Sequence, residues 1–195
     1  MTRSSSWLLS LLSLVAALAS PSRAAGGQAQ VLITVPEALE LAFPGCTVEK
    51  QTLYLSKEQQ KEAAKLCKGK LEGRVVRAYS AKDAKGKFVG TAYFDTHRVR
   101  TNKETVMVVV TPEQKVARVE VLAFGEPLDY VPNEVFYGQF KKKKLGPELT
   151  LKRGVRNVAG ATLTCRASVD AARRVLAVHR ILSAPAQPAV SVASR

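Results

Sequence analysis

Aromatic residues make up only 6% of the 195-residue chain, and histidine occurs twice, at His97 and His179. With so few rings there is no stacking platform for a nucleic-acid strand, and no spacing matches a zinc finger. The three cysteines, Cys46, Cys67 and Cys165, are too few for the quartet that ligates an iron–sulfur cluster. No Cys-x-x-Cys-His is present for haem, and two histidines make a metal site unexpected. Acidic residues are scarce as well: 16 stand against 30 lysines and arginines, a formal charge of +14. Such an excess often marks nucleic-acid binders. An exported chain rarely meets nucleic acid, however, and export is what the N-terminus indicates. An anionic membrane surface or an acidic redox partner is therefore the expected use of the charge. The run Lys141-Lys142-Lys143-Lys144 reads as a solvated loop.

Long apolar runs are missing too, with one exception. Residues 7–19 form an apolar stretch behind Arg3, shorter than the ~20 residues a spanning helix needs. Ser22-Arg23-Ala24 or Ala17-Leu18-Ala19 supplies a cleavage signal, so residues 1–25 read as a secretory signal peptide. An uncleaved N-terminal anchor is the alternative. Loss of Arg3 and Arg23 with this leader would lower the charge from +14 to +12. Residues 26–182 suffice for a single domain with its own core. Residues 183–195 are small, proline-containing and aperiodic, and are expected to be a disordered tail. Export would permit a Cys46–Cys67 disulfide, worth roughly 3 kcal/mol for a loop of about twenty residues.

Within the domain, Thr34 followed by Pro36 and Glu37 predicts a short helix to Ala42, stopped by Pro44-Gly45. Ser56 and Gln59 form a capping box that opens a second helix, running to about Cys67. Residues 75–81, 88–97, 105–111 and 116–124 are rich in β-branched residues and partly alternating, as strands are. Short polar turns at 83–87 and 112–114 join them as hairpins. The expected fold class is α+β: an antiparallel sheet of about four strands, with helices on one face. Val106, Val108 and Val110 are placed in the core on one side, opposite Val116 or its neighbours. Phe136, Tyr137 and Phe140 read as core residues of a short helix.

Ala167, Ala171, Val175, Val178 and Leu182 make one apolar helical stripe. The segment feeding it, Gly154-Val155-Arg156-Asn157-Val158-Ala159-Gly160-Ala161-Thr162-Leu163-Thr164-Cys165, is glycine-punctuated. A small-residue loop entering a helix presents unpaired N–H groups and the positive end of the dipole, which suits phosphate. An ordinary helix start with a threonine cap is the plainer reading. Cys165 beside a helix N-terminus also raises a thiol enzyme as an alternative, although no histidine motif accompanies it. Asp95-Thr96-His97 lacks a serine nucleophile, so His97 reads as a strand-end residue.

Gly160-Ala161-Thr162-Leu163-Thr164 resembles the Ser-Gly-Ala-Thr-x-Thr signature of the FMN-binding domain family. That family includes the extracytoplasmic flavin-carrying subunits of the sodium-pumping NADH:quinone reductase and of the Rnf complexes. The resemblance implies FMN esterified through its phosphate to Thr162, by a flavin transferase that uses FAD as donor. Thr164 is the alternative acceptor. Gly160, Ala161, Leu163, Thr164 and Asn157 are implied as nearby contacts. The family usually has serine or threonine where this chain has Ala159, and aspartate where it has Arg156; Arg156 could pair with the phosphate itself. Gly125-Glu126-Pro127-Leu128 is similar to the family's Glu-Thr-Pro-Gly turn, which lies close to the flavin, and marks Glu126. The function implied is that of an electron-transfer flavoprotein on the outer face of a bacterial-type inner membrane, or in the periplasm. Its partner would be a membrane redox complex or another electron-transfer protein. A cofactor-free basic module for anionic membrane or an acidic protein is the alternative.

Overall fold

Capping residues set the first two helices. The computed structural model describes residues 29–184; the expected leader at 1–25 lies outside the described residues, as does the expected tail at 183–195 apart from Ser183 and Ala184, of which Ser183 still belongs to the last helix. Helix α1 (Val35–Ala42) begins where Glu37 accepts hydrogen bonds from Thr34 N–H at 2.9 Å and from its hydroxyl at 2.6 Å. Helix α2 (Lys57–Cys67) begins at the expected box: Gln59 N–H donates to Ser56 Oγ at 3.1 Å, and Ser56 N–H to Gln59 Oε1 at 2.9 Å. A cap of this kind is worth about 1 kcal/mol. Helix α2 ends with Lys68 in the left-handed region.

Six strands, β1 (Gln30–Val31), β2 (Thr47–Tyr54), β3 (Val75–Lys82), β4 (Phe88–Arg98), β5 (Lys103–Val110) and β6 (Val116–Phe124), form one antiparallel sheet ordered β1-β6-β5-β4-β3-β2. The four expected strands are all present, so the α+β class holds. The sheet is wider than about four strands because short β1 pairs with β6 and polar β2 pairs with β3. Strand β2 lies at the edge, where Glu49, Lys50 and Gln51 can face water and deter further pairing.

Helices cover both faces rather than one. On one face Val106, Val108 and Val110 lie opposite Val121, Val119 and Val116. Helix α3 spans Glu134–Gly138 and α4 spans Thr162–Ser183. The valines pack with Phe136 and Phe140 from the α3 region and with Cys165, Val169, Ala172 and Leu176 from α4. On the other face Met107, Val109 and Leu122 pack against Ala38 and Phe43 of the α1 segment. Each fully buried side chain of this size stabilises by roughly 1.5–3 kcal/mol. A third cluster, including Ala63, Cys67, Ala177 and Val178, joins α2 to α4. Cys46 and Cys67 therefore belong to different clusters, and all three cysteines are free. The Cys46–Cys67 disulfide is not formed. No described helix is long and apolar enough to cross a membrane.

A row of charges also bolts α4 to the sheet. Arg174 donates to both carboxylate oxygens of Asp95 at 2.9 and 2.7 Å. His97 Nδ1 meets Asp95 Oδ1 at 2.8 Å, and its Nε2 meets Glu104 Oε2 at 2.9 Å. Glu104 is completely buried, and its Oε1 has no hydrogen-bond partner among the described residues. His97 is thus a bridge between two strands, more than a strand-end residue.

Candidate functional site

The path into α4 is fixed step by step. Asn133 accepts from Phe136 N–H at 3.2 Å to start α3, and buried Phe136 and Phe140 anchor that short helix on the core. Gln139, just beyond it, grips the backbone of Arg156 on both sides. Its Oε1 accepts from Arg156 N–H at 2.8 Å, and its Nε2 donates to Arg156 O at 3.2 Å. Two residues earlier, a β-carbon on Gly154 would lie 2.0 Å from Glu148 O, so only glycine lets these two backbones meet. Val155 is buried beside them. The chain is therefore pinned up to Arg156 and projects from Asn157 onward. Gly160 then takes φ +82, with open space where a β-carbon would stand.

Helix α4 starts without a side-chain cap. Ala161 is the N-cap residue and makes no capping bond, which sets aside the threonine-cap reading. The first helical bond runs from Cys165 N–H to Ala161 O at 2.9 Å. The N–H groups of Thr162, Leu163 and Thr164 have no acceptor among the described residues. With 22 residues of aligned dipole behind them, they favour an anion at this end.

The two threonines differ sharply. Thr162 is exposed and its Oγ1 accepts from Asn157 Nδ2 at 2.8 Å, leaving its own proton free. Thr164 is only 1% exposed, turned into the domain. A hydroxyl that must meet an incoming phosphate can be Thr162 and not Thr164.

Two clefts meet at Thr162. One, of about 120 Å³, has Val99, Tyr130 and Leu163 as apolar walls, Arg100 and Glu126 at its edge, and the 160–164 backbone along its floor. It is smaller than the roughly 300–1,000 Å³ of ordinary ligand pockets. A flat ring lying there would keep one face or edge in solvent. The second cleft, about 740 Å³, opens on the α2 side, with Asn157, Arg166 and Arg173 in its walls.

Most of the residues selected from sequence converge here. Gly160, Ala161, Thr162, Leu163, Thr164 and Glu126 share the small cleft, and Asn157 reaches Thr162 from the large one. Glu126 also closes the β4–β5 turn, where its Oε1 accepts from Asn102 N–H at 2.8 Å and from Thr101 N–H at 2.7 Å. Those backbone bonds, Asn102's first, hold its carboxyl below the usual range. Arg156 is exposed and lines neither cleft. The cations that do flank Thr162 are Arg100, on the small-cleft side, and Arg166, on the large. Sequence reading missed both. Arg166 was within reach of it, since four residues after Thr162 is the same helix face. Cys165 is fully buried, and burial pushes its thiol up, away from the thiolate a nucleophile needs. The thiol-enzyme reading has no support in this geometry.

Comparison with known proteins bears on this end of the molecule. The model of the FMN-binding domain family matches residues 101–177. That span runs from the β4–β5 turn into α4 and contains all eight residues selected for the site. No curated protein and no solved structure matches the chain.

Proposed function

We propose, starting from the FMN-binding domain that the chain carries at residues 101–177, that this protein is an extracytoplasmic electron carrier with FMN esterified to Thr162. FMN is the cofactor that this domain supports, and flavin binding with electron transfer is the role that goes with it. The observation that carries the attachment is the contrast between exposed Thr162 and buried Thr164 at the uncapped start of α4.

The residues fit such a group. Gly160 lets the backbone approach a phosphate closely. The free N–H groups of the first turn of α4 and the guanidinium of Arg166 would oppose the single negative charge of a phosphodiester. Asn157 orients the Thr162 oxygen. Val99, Tyr130 and Leu163 offer an apolar bed for the ring, and Leu163 is itself 50% exposed. When bound, the flavin supplies the capacity to take one or two electrons, and the protein supplies position and tuning. A small, open cleft suits a carrier, whose ring must approach a partner. The acceptor chemistry needs a phosphoryl donor: the Thr162 oxygen displaces AMP from FAD, and the hydroxyl proton is lost. A flavin transferase would supply that step. The partner in turnover is a membrane redox complex or another electron-transfer protein, and the place of work is the periplasm or the outer face of the inner membrane.

Production of the chain with a flavin transferase tests the attachment. The account expects yellow protein whose colour stays with the polypeptide through unfolding and gel filtration. Colour that separates on unfolding would show non-covalent FMN. A colourless product from a transferase that modifies a control substrate would favour the cofactor-free basic module.

A further inference from the structure

The cleft on the α2 side of Thr162 concentrates positive charge beyond what a flavin phosphate needs. Its volume of about 740 Å³ falls inside the usual range for small-molecule sites, roughly 300–1,000 Å³. Lys68, Lys152, Arg153, Arg166 and Arg173 line it, against one carboxylate, Asp170. None of these cations joins an ion pair among the described residues.

Arg173 is the most telling of them, because it is only 9% exposed. Its Nε donates to Cys67 O at 3.1 Å, and its Nη1 to Gly146 O at 2.9 Å and Leu149 O at 3.0 Å. These bonds fix the guanidinium plane, while Nη2 has no acceptor among the described residues. A charge buried this far is ordinarily paired with an opposite one, because its desolvation is costly. Here carbonyl dipoles hold it in place, and Asp170 acts on it through space without forming an ion pair. Leu145, Leu151 and Val169 give the same cleft an apolar wall.

We propose that this cleft binds an organic phosphate, its di- or polyphosphate group on Arg173, Arg153 and Lys152 and its apolar body against Leu145, Leu151 and Val169. A phosphodiester at Thr162 carries one negative charge and leaves most of these cations unanswered. The site is therefore a second one, and the inference stands whether or not FMN is esterified to Thr162.

Calorimetric titration of the flavin-free chain with ADP tests it. The expected result is saturable binding that Arg153→Gln and Lys152→Gln each weaken by about tenfold, the loss of one charge-assisted contact. Lys85→Gln, in the β3–β4 turn and outside the cleft, leaves affinity unchanged. Arg173→Gln abolishes binding; because Arg173 also holds three carbonyls, the two exposed variants carry the test if that protein fails to fold. FMN-loaded protein retains the affinity. Absence of saturable binding overturns the proposal, as does equal weakening by Lys85→Gln, which would mean diffuse charge attraction. Loss of ADP binding on flavin loading would also overturn it, by showing that the cleft is the flavin phosphate's own.

Discussion

Thr162 and Thr164 are two positions apart, and the helix turns them to opposite surroundings: one hydroxyl reaches water, the other the core. Among the described residues, Asn157 is the one side chain hydrogen-bonded to the exposed hydroxyl. Asn157→Leu should therefore slow flavin attachment several-fold while leaving the melting temperature within a few degrees, because Asn157 is exposed. A rate assay with purified transferase measures it, and an unchanged rate would remove Asn157 from the site. Gly154 makes the opposite kind of prediction. Its substitution by alanine would press a β-carbon onto Glu148 O, so the loop must shift. Gly154→Ala should destabilise by about 2 kcal/mol or more by strain, read as a lower denaturant midpoint. A neutral result would mean that the 148–154 turn relaxes freely.

The elements were partly legible in the sequence. The Ser56/Gln59 box set the start of α2, and the apolar stripe from Ala167 to Leu182 set the inner face of α4. Strand β2 was not legible, since Thr47–Tyr54 carries Glu49, Lys50 and Gln51 and looks like a solvated surface until an edge pairing with β3 is seen. The second covered face was missed for another reason. Val106–Val110 is a continuous apolar run, the pattern of a strand buried on both sides, but alternate valines were counted for one face only. Nor could sequence show that Asp95, His97, Glu104 and Arg174 meet, as those contacts span up to 79 positions.

That charged row makes stability depend on pH. Burial works against the His97 cation, yet bonds to Asp95 and Glu104 outweigh it and raise the histidine to about 9. Burial likewise works against the Asp95 anion, and Arg174 and His97 outweigh it, holding Asp95 at about 2. A raised histidine contributes stability that is fully present below its unfolded value near 6.5 and is lost as pH climbs to about 9. A lowered aspartate contributes above about 3.9 and is lost as pH falls toward 2. Unfolding free energy should therefore drop, on the order of 2 kcal/mol, between about pH 6.5 and 9. In His97→Gln that slope should vanish. A wild-type curve flat across this window would show that Asp95 and Glu104 do not hold the His97 proton in the folded protein.

For the molecule as a whole, the family match covers the part that holds the site, and the rest supplies α1, α2 and strands β1–β4. The reading of residues 1–25 as a signal peptide predicts export: protein made with them should be recovered outside the cytoplasm with those residues removed. Intact protein in the cytosol would contradict that. The central claim is narrower, and peptide mapping by mass spectrometry tests it most directly. Wild type, Thr162→Ala and Thr164→Val would each be made with a flavin transferase, denatured and digested. The account predicts an added mass of FMN less water on Thr162 in wild type and in Thr164→Val, and none in Thr162→Ala. An adduct on Thr164, or one that survives Thr162→Ala, would contradict it.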